Sequence, residues 1–567
     1  MSETPTNIAI VHCHFETGGV TGVVQNHVEC LRSGKERESI GKIVLLSGKR
    51  VSGIRKSTLA HADAIQIPEL DYDAVGTDAL REPSQSQNGD TQLNASSFER
   101  IKGFQRTQAT HGSVAGQRLF ELVDATLRSA GLKPEDSVIH WHNHSLGKNA
   151  AAPFAITHLA NAGWRLLLQI HDFAEDQRPE NVHHLIQQTG ATRSSTLDAI
   201  LYPTHPNIAY ACLTKGDAEV LQARGIDASR VTTIPNSVRL PPGEMSDRET
   251  AMAKVAEVFS VDASSRWVLY PVRGIRRKNV GEFVLLCQLL PKGYVGALTL
   301  KPDTELESES YERWHTLAKT YVPDIIFDAA HDERITYADN LSACHCVLST
   351  SVAEGFGMAF LEPWLASRKV VARNLPSVTS DFSAEGVHQP DLYDGVWIPG
   401  DADWIAKVDR QWKQAYGEAW ALLPEPFRPQ ERLVKQTGGC VDAVDFARLL
   451  PSEQINTIRR IAEDAAFGEQ VKKLNARLIE SIVAEAPADL IESNRETIAS
   501  RYRPDVQCSI LTNAYQSLTS QQANQTSDSP DNLNPTTDAR MIDLVASSHP
   551  FYPCRVEGHP VATLVSE

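Results

Sequence analysis

The sequence lacks any long hydrophobic run: among its 567 residues, no apolar stretch approaches the 18 residues that a membrane-spanning helix needs. Its nine cysteines show no framework of paired spacings, and its first residues, MSETPTNIAIVH, lack the basic segment and apolar core of a secretion signal. Basic charge is not in excess either, since 55 Lys and Arg stand against 71 Asp and Glu. We therefore expect a reduced, cytoplasmic protein with no transmembrane segment and no nucleic acid as a general partner.

Two groups of metal-binding residue types occur, and neither has the spacing of a familiar metal site. Cys344 and Cys346 flank a histidine, but C-x-C is not the spacing of a zinc knuckle and no second cysteine pair follows. His140, His142 and His144 would share one face of an extended segment, which could suit a metal. Histidines at a strand end beside a ligand cleft are the commoner case, so we predict no metal.

The most informative segment runs from a predicted strand through a glycine-rich turn into a predicted helix. Cys346–Thr350 is apolar and β-branched, as in a buried parallel strand. Gly355 and Gly357 allow a sharp turn, and the apolar spacing that follows predicts a helix beginning near Ala359. Pro363 would then fall in the first helical turn, where its missing N–H costs little.

Glu354 and Glu362 stand eight residues apart around this turn. The N-terminus of a helix offers free amides and a positive dipole end, so the turn would suit a phosphate. Carboxylates beside a phosphate site suit the hydroxyls of a sugar, because they accept strong hydrogen bonds from diols. The alternative is that Glu354 is an ordinary loop charge and Glu362 lies on a solvated helix face.

The segment CHCVLSTSVAEGFGMAFLEPWLASRKVVARNLPSV resembles the EGFG…E motif of the retaining glycosyltransferases of family 4, which have the GT-B fold. It departs from the family at Pro363, where alanine is frequent, and at Arg368, where glycine is frequent. The resemblance implies that Glu354 binds hydroxyls of the transferred sugar and Glu362 the ribose diol of a nucleotide. It also implies that the turn assists in holding a diphosphate, through Gly355, Phe356, Gly357, Met358 and Ala359.

Arg273 and Lys278 resemble the R-x4-K pair of the same family. That resemblance implies that their cations hold the donor diphosphate and the charge that develops on it as the sugar leaves. Basic residues after a strand are otherwise often solvated surface. Arg276 and Arg277 lie between the two, so the pair is better defined than the individual phosphate contacts.

Two further pieces lie in the first half of the chain. His171 follows the run RLLLQI and resembles the histidine of the family's V-H-D segment, which implies a contact with the transferred sugar. The alternative is a histidine that caps a strand end beneath a loop. Gly18 and Gly19 follow the first predicted strand and resemble the family's Gly-Gly loop, where amides approach donor phosphate or acceptor; a simple turn is the alternative.

Strands and helices alternate along the chain in two series, which predicts an α/β protein with two doubly wound, Rossmann-like domains. The first series comprises residues 7–12, 42–47, 137–142, 165–170, 199–203 and 209–213. The second comprises residues 267–272, 297–300, 324–327, 346–350 and 369–372. The GT-B resemblance adds that the domains face a cleft and that a C-terminal helix crosses back to the first domain.

Proline-rich and polar segments mark the predicted boundaries. We expect a first, acceptor-side domain over residues 1–238 with a surface insertion at about 70–112, and a donor domain over 239–496 with an extra segment at about 403–460. Residues 497–518 would form the returning helix. Residues 519–567 begin with a polar stretch and are predicted to be a disordered tail.

The family resemblance implies an enzyme that moves a hexose from a UDP- or GDP-linked donor to an acceptor, with retention of configuration. It implies no metal or other cofactor, and the acceptor could be a sugar, a lipid or a small molecule. Two alternatives remain open: a GT-B sugar phosphorylase, and a catalytically silent GT-B scaffold that binds glycan or protein. Loss of a site residue would mark the scaffold, but Glu354, Glu362, Arg273 and Lys278 are all present.

Overall fold

The computed structural model describes residues 6–33, 35–73, 111–241, 243, 245–431, 442–520 and 539–557. The chain forms two compact units. The first unit comprises Met1–Ser237, Ala421–Leu433 and Pro504–Ser548. The second comprises Val238–Trp420, Val434–Arg503 and His549–Glu567. Most of the predicted insertion at 70–112 lies outside the described residues.

The first unit is built on a seven-stranded parallel sheet with strand order β3-β2-β1-β4-β5-β6-β7. Its strands are β1 (Thr6–Val11), β2 (Ile40–Ser47), β3 (Asp63–Gln66), β4 (Ser137–His142), β5 (Arg165–Ile170), β6 (Ile208–Cys212) and β7 (Val231–Thr233). Every residue of β4 and β5 is buried, as expected for central strands covered on both faces. The strand order reverses between β1 and β4, which are adjacent and pair in parallel.

Nine described helices belong to the first unit. They are α1 (Gly19–Ser33), α2 (Lys56–Leu59), α3 (His111–Ser129), α4 (Ala152–Asn161), α5 (Pro179–Thr189), α6 (Ser194–Leu201), α7 (Lys215–Ala223), α19 (Pro504–Ser520) and α20 (Met541–Ser548). Helix α19 packs against α1 and completes the core of this unit with Cys508, Leu511 and Tyr515, all fully buried. The last long helix of the chain therefore belongs to the first unit.

The second unit is built on a six-stranded parallel sheet with strand order β10-β9-β8-β11-β12-β13. Its strands are β8 (Arg266–Arg273), β9 (Tyr294–Leu300), β10 (Ile325–Ile326), β11 (Cys344–Ser349), β12 (Lys369–Arg373) and β13 (Leu392–Tyr393). The short strands β14 (Trp397–Pro399) and β15 (Ala443–Asp445) form a separate antiparallel pair. The strand order of the main sheet reverses between β8 and β11.

The described helices of the second unit are α8 (Arg248–Phe259), α9 (Val280–Leu289), α10 (Glu305–Tyr321), α11 (Tyr337–Ala343), α12 (Glu362–Leu365), α13 (Pro376–Ala384), α14 (Ala402–Trp420), α15 (Pro451–Glu463), α16 (Ala465–Leu474), α17 (Ala476–Val483) and α18 (Ala488–Arg501). The predicted extra segment at 403–460 contributes α14, β15 and the start of α15. Residues Ala421–Leu433 within it belong to the first unit.

Both main sheets are parallel and have the strand order of a Rossmann fold, so the predicted fold class of two doubly wound α/β domains is confirmed. In such sheets ligands bind beyond the carboxyl ends of the strands, where the order reverses. Among the helices that the structure describes, none combines the length and the apolar character needed to cross a bilayer.

One predicted strand is wrong. Residues 199–203 read as a short apolar run, but Ser194–Leu201 is helical, with Leu197 and Leu201 buried one turn apart. Buried Asp198 bonds to Arg224, which holds this helix against its neighbour. A short apolar run cannot separate a strand from a buried helical turn by periodicity alone.

The prediction of a disordered tail over 519–567 is also wrong for residues 541–557. Met541–Ser548 is helical and buries Met541, Ile542 and Val545 along one face. Further on, Phe551 packs edge-on against Trp412 of the second unit. The apolar residues of this segment supply the burial that the polar stretch before it cannot. Residues 521–538 and 558–567 lie outside the described residues.

Candidate active site

The carboxyl ends of β8 and β11 bring Lys278 and Glu354 together. These strands are neighbours where the order of the second sheet reverses. Lys278 Nζ forms an ion pair with Glu354 Oε1, and each side chain is only 9% exposed. Two residues that the sequence analysis assigned to one site from separate motifs are thus in direct contact.

The turn that carries Lys278 is tied to β8 and to the residue that follows β11. The Tyr270 hydroxyl donates to the Lys278 carbonyl at 2.8 Å, and Thr350 Oγ1 donates to the same carbonyl at 3.0 Å. Asn279 follows with a left-handed φ of 48°, a conformation that asparagine tolerates better than most residues. These contacts fix the backbone position from which Lys278 extends.

The charge of Glu354 is stabilised by two cations. Burial alone would raise the pKa of this carboxyl, but Lys278 and Arg277 outweigh burial and hold the pKa below its usual range. Arg277 Nη1 lies 3.5 Å from Glu354 Oε2 and donates to the Ala353 carbonyl at 3.0 Å. The site therefore presents an ionised carboxylate and two cations at neutral pH.

Arg273, the other half of the predicted R-x4-K pair, has different partners. It ends β8, and its Nη1 donates to the Lys301 carbonyl at 3.2 Å. It also pairs with Asp303, whose side chain is largely exposed. In the described residues, the contact with Glu354 is therefore made by Lys278 and not by Arg273.

Arg276 is held away from Glu354 by other groups. Its backbone N–H and its Nε both donate to Glu307, at 2.7 and 3.2 Å. Its Nη1 donates to the Glu557 carbonyl in the C-terminal segment. Of the two arginines between Arg273 and Lys278, only Arg277 contacts Glu354 in the described residues.

The predicted helix after the glycine turn is much shorter than expected. A single 3-10 turn covers Met358–Phe360, and helix α12 covers only Glu362–Leu365. Pro363 is its second residue, and Ser367 ends the segment with a left-handed φ of 57°. Glu362 is thus the first residue of a four-residue helix, and the longer helix expected to begin near Ala359 is not formed; the phosphate contact of the turn stays a prediction.

The loop residues divide between packing and partial exposure. The Phe356 ring is buried against Phe382 and Tyr502, with centroids 5.6 and 6.1 Å away. Gly357 has a φ of 85°, and a Cβ there would lie 3.0 Å from Phe360 and Val378, so this position requires glycine. Partial exposure is shared by Gly355, Met358 and Ala359.

Glu362 forms a second polar contact. The Tyr337 hydroxyl donates to Glu362 Oε2 at 2.9 Å. Burial raises the pKa of Glu362 to about 7, and the hydrogen bond from Tyr337 opposes this only in part. Glu354 and Glu362 therefore differ: the first is ionised beside cations, and the second titrates near neutral pH.

In the first unit, His171 lies directly after β5 and is hydrogen-bonded to the end of β4. His171 Nε2 lies 2.8 Å from His142 Nδ1. The His171 backbone N–H donates to Asn143 Oδ1 at 2.8 Å, and Asn143 has a left-handed φ of 54°. Burial lowers the pKa of His171 to about 4, so its imidazole is neutral at pH 7.

A cluster of buried histidines surrounds this pair. The rings of His140 and His142 are stacked with centroids 4.3 Å apart, and His27 stacks on His140 at 5.4 Å. Nitrogens of His27, His140 and His142 lie within 4.8 Å of one another, as a metal site would require. However, both nitrogens of His140 already bond to protein groups, Tyr515 and Gln169, at 2.8 Å. The prediction that no metal is needed stays a prediction.

Gly18 and Gly19 line a cavity of about 210 Å³ at the carboxyl ends of β1 and β4, together with His12, Asn143 and Lys148. Neither glycine is required by packing: a Cβ at Gly19 would meet no atom within 4 Å, and one at Gly18 only the Glu16 carbonyl at 4.0 Å. The cavity is thus lined by backbone, imidazole, amide and ammonium groups and also by the carboxylate of Asp172, which pairs with Arg178 at 2.9 Å.

No family model matches the chain. Among curated proteins, the chain is 26% identical over 493 residues to mannosylglucosyl-3-phosphoglycerate synthase of Petrotoga mobilis. The aligned region covers 84% of this chain and 85% of the relative. The chain is homologous to a glycosyltransferase. The predicted enzyme class, a transferase, is thereby confirmed.

Solved structures with low sequence identity also align over most of the chain. Sucrose-phosphate synthase from Thermosynechococcus elongatus has a TM-score of 0.49 at 14% identity, covering 90% of this chain and 99% of that one. HepE from Anabaena, in complex with UDP and glucose, has a TM-score of 0.47 at 12% identity, covering 90% of this chain and 99% of HepE.

Several residues at the site were missed by the sequence analysis. Tyr337 lies in a helix 25 residues before its partner Glu362, and Tyr270 lies within a buried strand. His142 was expected to be a histidine at a strand end beside a ligand cleft, or else a metal ligand, and its contact with His171 was not foreseen. A buried tyrosine in a strand or helix gives no sequence signal of the group to which its hydroxyl bonds.

Proposed function

We propose that this protein is a retaining glycosyltransferase that moves a hexose from a UDP- or GDP-linked donor to a small anionic acceptor. The observation that carries the proposal is the buried ion pair of Lys278 and Glu354 at the switch point of the second sheet. The homologous synthase from Petrotoga mobilis and the resemblance to family 4 support the same reaction class.

In the proposed reaction, the bond between the anomeric carbon and the donor diphosphate breaks, and an acceptor oxygen bonds to that carbon. Negative charge accumulates on the departing diphosphate, and Lys278 stabilises it, with Arg277 and Arg273 as further cations. Glu354 accepts hydrogen bonds from hydroxyls of the sugar. Since these cations take the charge of the leaving group, the proposal requires no metal. Attack from the same face as departure is what the family resemblance implies.

Glu362 is proposed to accept hydrogen bonds from the ribose diol, with Tyr337 orienting its carboxylate. A carboxylate accepts such bonds best when it is ionised, so the raised pKa of Glu362 makes donor binding sensitive to pH near 7. His171 is proposed to contact the transferred sugar. The partly exposed backbone of Gly355, Met358 and Ala359 is available to assist the diphosphate.

The acceptor is proposed to carry a phosphate or carboxylate group. The name of the Petrotoga mobilis relative denotes a product in which sugars are joined to 3-phosphoglycerate. The cavity beside Gly18 and Gly19 has Lys148 in its wall and open space at both glycines, and its Asp172 carboxylate is already paired with Arg178, which together suit an anionic group near the backbone. This cavity is the proposed acceptor site.

A donor and acceptor screen tests the proposal. The purified full chain is incubated with UDP-glucose, GDP-glucose, UDP-galactose or GDP-mannose, each with glucosyl-3-phosphoglycerate or with glucosylglycerol, which lacks both the phosphate and the carboxylate. We expect one donor to release nucleoside diphosphate in an acceptor-dependent way, faster with the phosphorylated acceptor. Equal rates with both acceptors would contradict the anionic acceptor but not the transferase.

Two outcomes would contradict the transferase itself. A phosphorylase would consume a sugar phosphate, or would release one from a glycoside and inorganic phosphate. Either result without release of nucleoside diphosphate would indicate a phosphorylase. Binding of glycan without turnover of any donor would indicate a silent scaffold. Retention is tested separately by the anomeric configuration of the product in NMR spectra: an α-linked donor must give an α-linked product.

A further inference from the structure

The hydrogen bond between His142 and His171 constrains where each ring carries its proton. His142 Nδ1 and His171 Nε2 are 2.8 Å apart, so one of the two nitrogens carries a hydrogen and the other a lone pair. Both side chains are buried. A neutral imidazole has a single N–H, so the proton position on one ring determines that on the other.

The other nitrogen of His142 decides between the two arrangements. No protein group in the described part of the chain bonds to His142 Nε2, which is buried beside the stacked His140 ring. If His142 carried its proton on Nε2, that N–H would be buried without an acceptor, and an orphaned buried donor is costlier than an unpaired lone pair. With the proton on Nδ1, His142 donates to His171 and leaves only a bare lone pair at Nε2.

We infer that His142 is a positioning residue: its Nδ1–H donates to His171 Nε2, and His171 therefore carries its own proton on Nδ1. This inference rests on the proposed function for its consequence, namely that His171 meets the sugar as a hydrogen-bond donor. A hydrogen-bond donor at this position suits the oxygen of a sugar hydroxyl. The opposite tautomer would offer a lone pair there instead.

The surrounding groups support this assignment. Burial lowers the pKa of both rings, that of His171 to about 4, so neither is an imidazolium at pH 7. His12 Nδ1 donates to the His142 carbonyl at 3.2 Å, which holds the end of β4 in place. The Asn143 side chain accepts from the His171 backbone N–H, which fixes the backbone position from which the His171 ring extends.

The test is a long-range proton–nitrogen NMR experiment on the full chain, labelled with ¹⁵N at histidine. The signals of His171 are identified as those that disappear in His171→Asn. We expect a protonated Nδ1 and an unprotonated Nε2 in the unmodified protein. In His142→Leu, which removes the donor, we expect His171 to shift toward the Nε2–H tautomer. In His142→Asn, whose side-chain amide reaches the position of Nδ1, the original tautomer should be kept.

A protonated His171 Nε2 in the unmodified protein would overturn the inference, as would an unchanged tautomer in His142→Leu. A purely structural role of His142 would lower the melting temperature in both variants and leave the tautomer alone. With the donor found by the screen, His142→Leu should lower kcat at least about tenfold more than His142→Asn, consistent with the loss of one oriented hydrogen bond. Because the NMR result needs no turnover, failure of the proposed function and failure of this inference give different outcomes.

Discussion

Replacement of Lys278 by methionine should lower both stability and turnover, and the two losses can be separated. Lys278 and Glu354 are each 9% exposed, so removing the cation leaves a buried carboxylate with Arg277 at 3.5 Å as its remaining cation. Breaking a buried ion pair from one side costs about 3–5 kcal/mol. Loss of one group that stabilises charge in the transition state costs about 10²–10³ in kcat.

The double variant Lys278→Met/Glu354→Gln distinguishes the two effects. Since it removes both charges, it should recover most of the stability lost in Lys278→Met, because no unpaired buried charge remains. It should recover none of the turnover, because the cation that stabilises the departing diphosphate is still absent. Urea unfolding of the second unit, monitored by hydrogen exchange, gives the free energies of unfolding. Release of nucleoside diphosphate gives the rates.

Lys407→Met is the matched control. Lys407 pairs with Glu453 at 2.6 Å on the surface of the same unit, with half of the lysine side chain exposed. Such a pair is worth about 0–1 kcal/mol, so this variant should keep both stability and rate. Turnover of Lys278→Met within about threefold of the unmodified enzyme would contradict the assigned role of Lys278, as would a double variant that regains activity together with stability.

Three further predictions concern Glu362, His27 and Gly19. Burial raises the pKa of Glu362 in the folded state from 4.5 to about 7, so the free energy of unfolding falls as the pH rises from about 4.5 through 7. Glu362→Gln should remove this fall from melting curves recorded between about pH 5 and 8, and it should weaken donor binding at about pH 8. His27 is fully buried with neither nitrogen bonded to a described protein group, and burial lowers its pKa to about 3, so its imidazole takes up a proton on unfolding at a pH below 6.5. His27→Leu should therefore stabilise the first unit, more at about pH 5 than at about pH 8, as measured by hydrogen exchange. Gly19 has open space at its Cβ position, so Gly19→Val should raise the KM for acceptor and leave the melting temperature nearly unchanged.

Opposite results would be informative for each. A pH profile of stability that is the same in Glu362→Gln and the unmodified protein would show that Glu362 is not the group titrating near pH 7. Destabilisation by His27→Leu at pH 5 would mean that the ring has polar partners that the protein cannot lose. An unchanged acceptor KM in Gly19→Val would place the acceptor elsewhere.

The sequence predicted the sheets better than it predicted the site. Strands at 137–142 and 165–170 match the structure residue for residue, because continuous apolar runs between polar turns are typical of central parallel strands. The helix expected from Ala359 was not found at that length, because apolar spacing does not reveal where a helix is interrupted. Met358–Phe360 is a separate 3-10 turn, and the left-handed Ser367 follows the end of α12 at Leu365.

The contacts of the site could not be read from sequence, although most of its residues could. Lys278 and Glu354 are 76 residues apart, and only the order of β8 and β11 in the sheet makes them partners. The same holds for Tyr337 with Glu362 and for His142 with His171. Long-range pairs depend on strand order, which a single sequence indicates only through resemblance to a known fold.

The route of the chain has a consequence for synthesis on the ribosome. The core of the first unit includes Cys508, Leu511 and Tyr515, which are translated after nearly all of the second unit. The second unit in turn takes Phe551 and Tyr552, which follow the last helix of the first unit. The first unit therefore lacks part of its core until Tyr515 has been made, the second unit lacks part of its core until Tyr552 has been made, and a truncation near residue 500 should leave both units incomplete. Chimaeras that exchange a unit between relatives must exchange three separate stretches of sequence together.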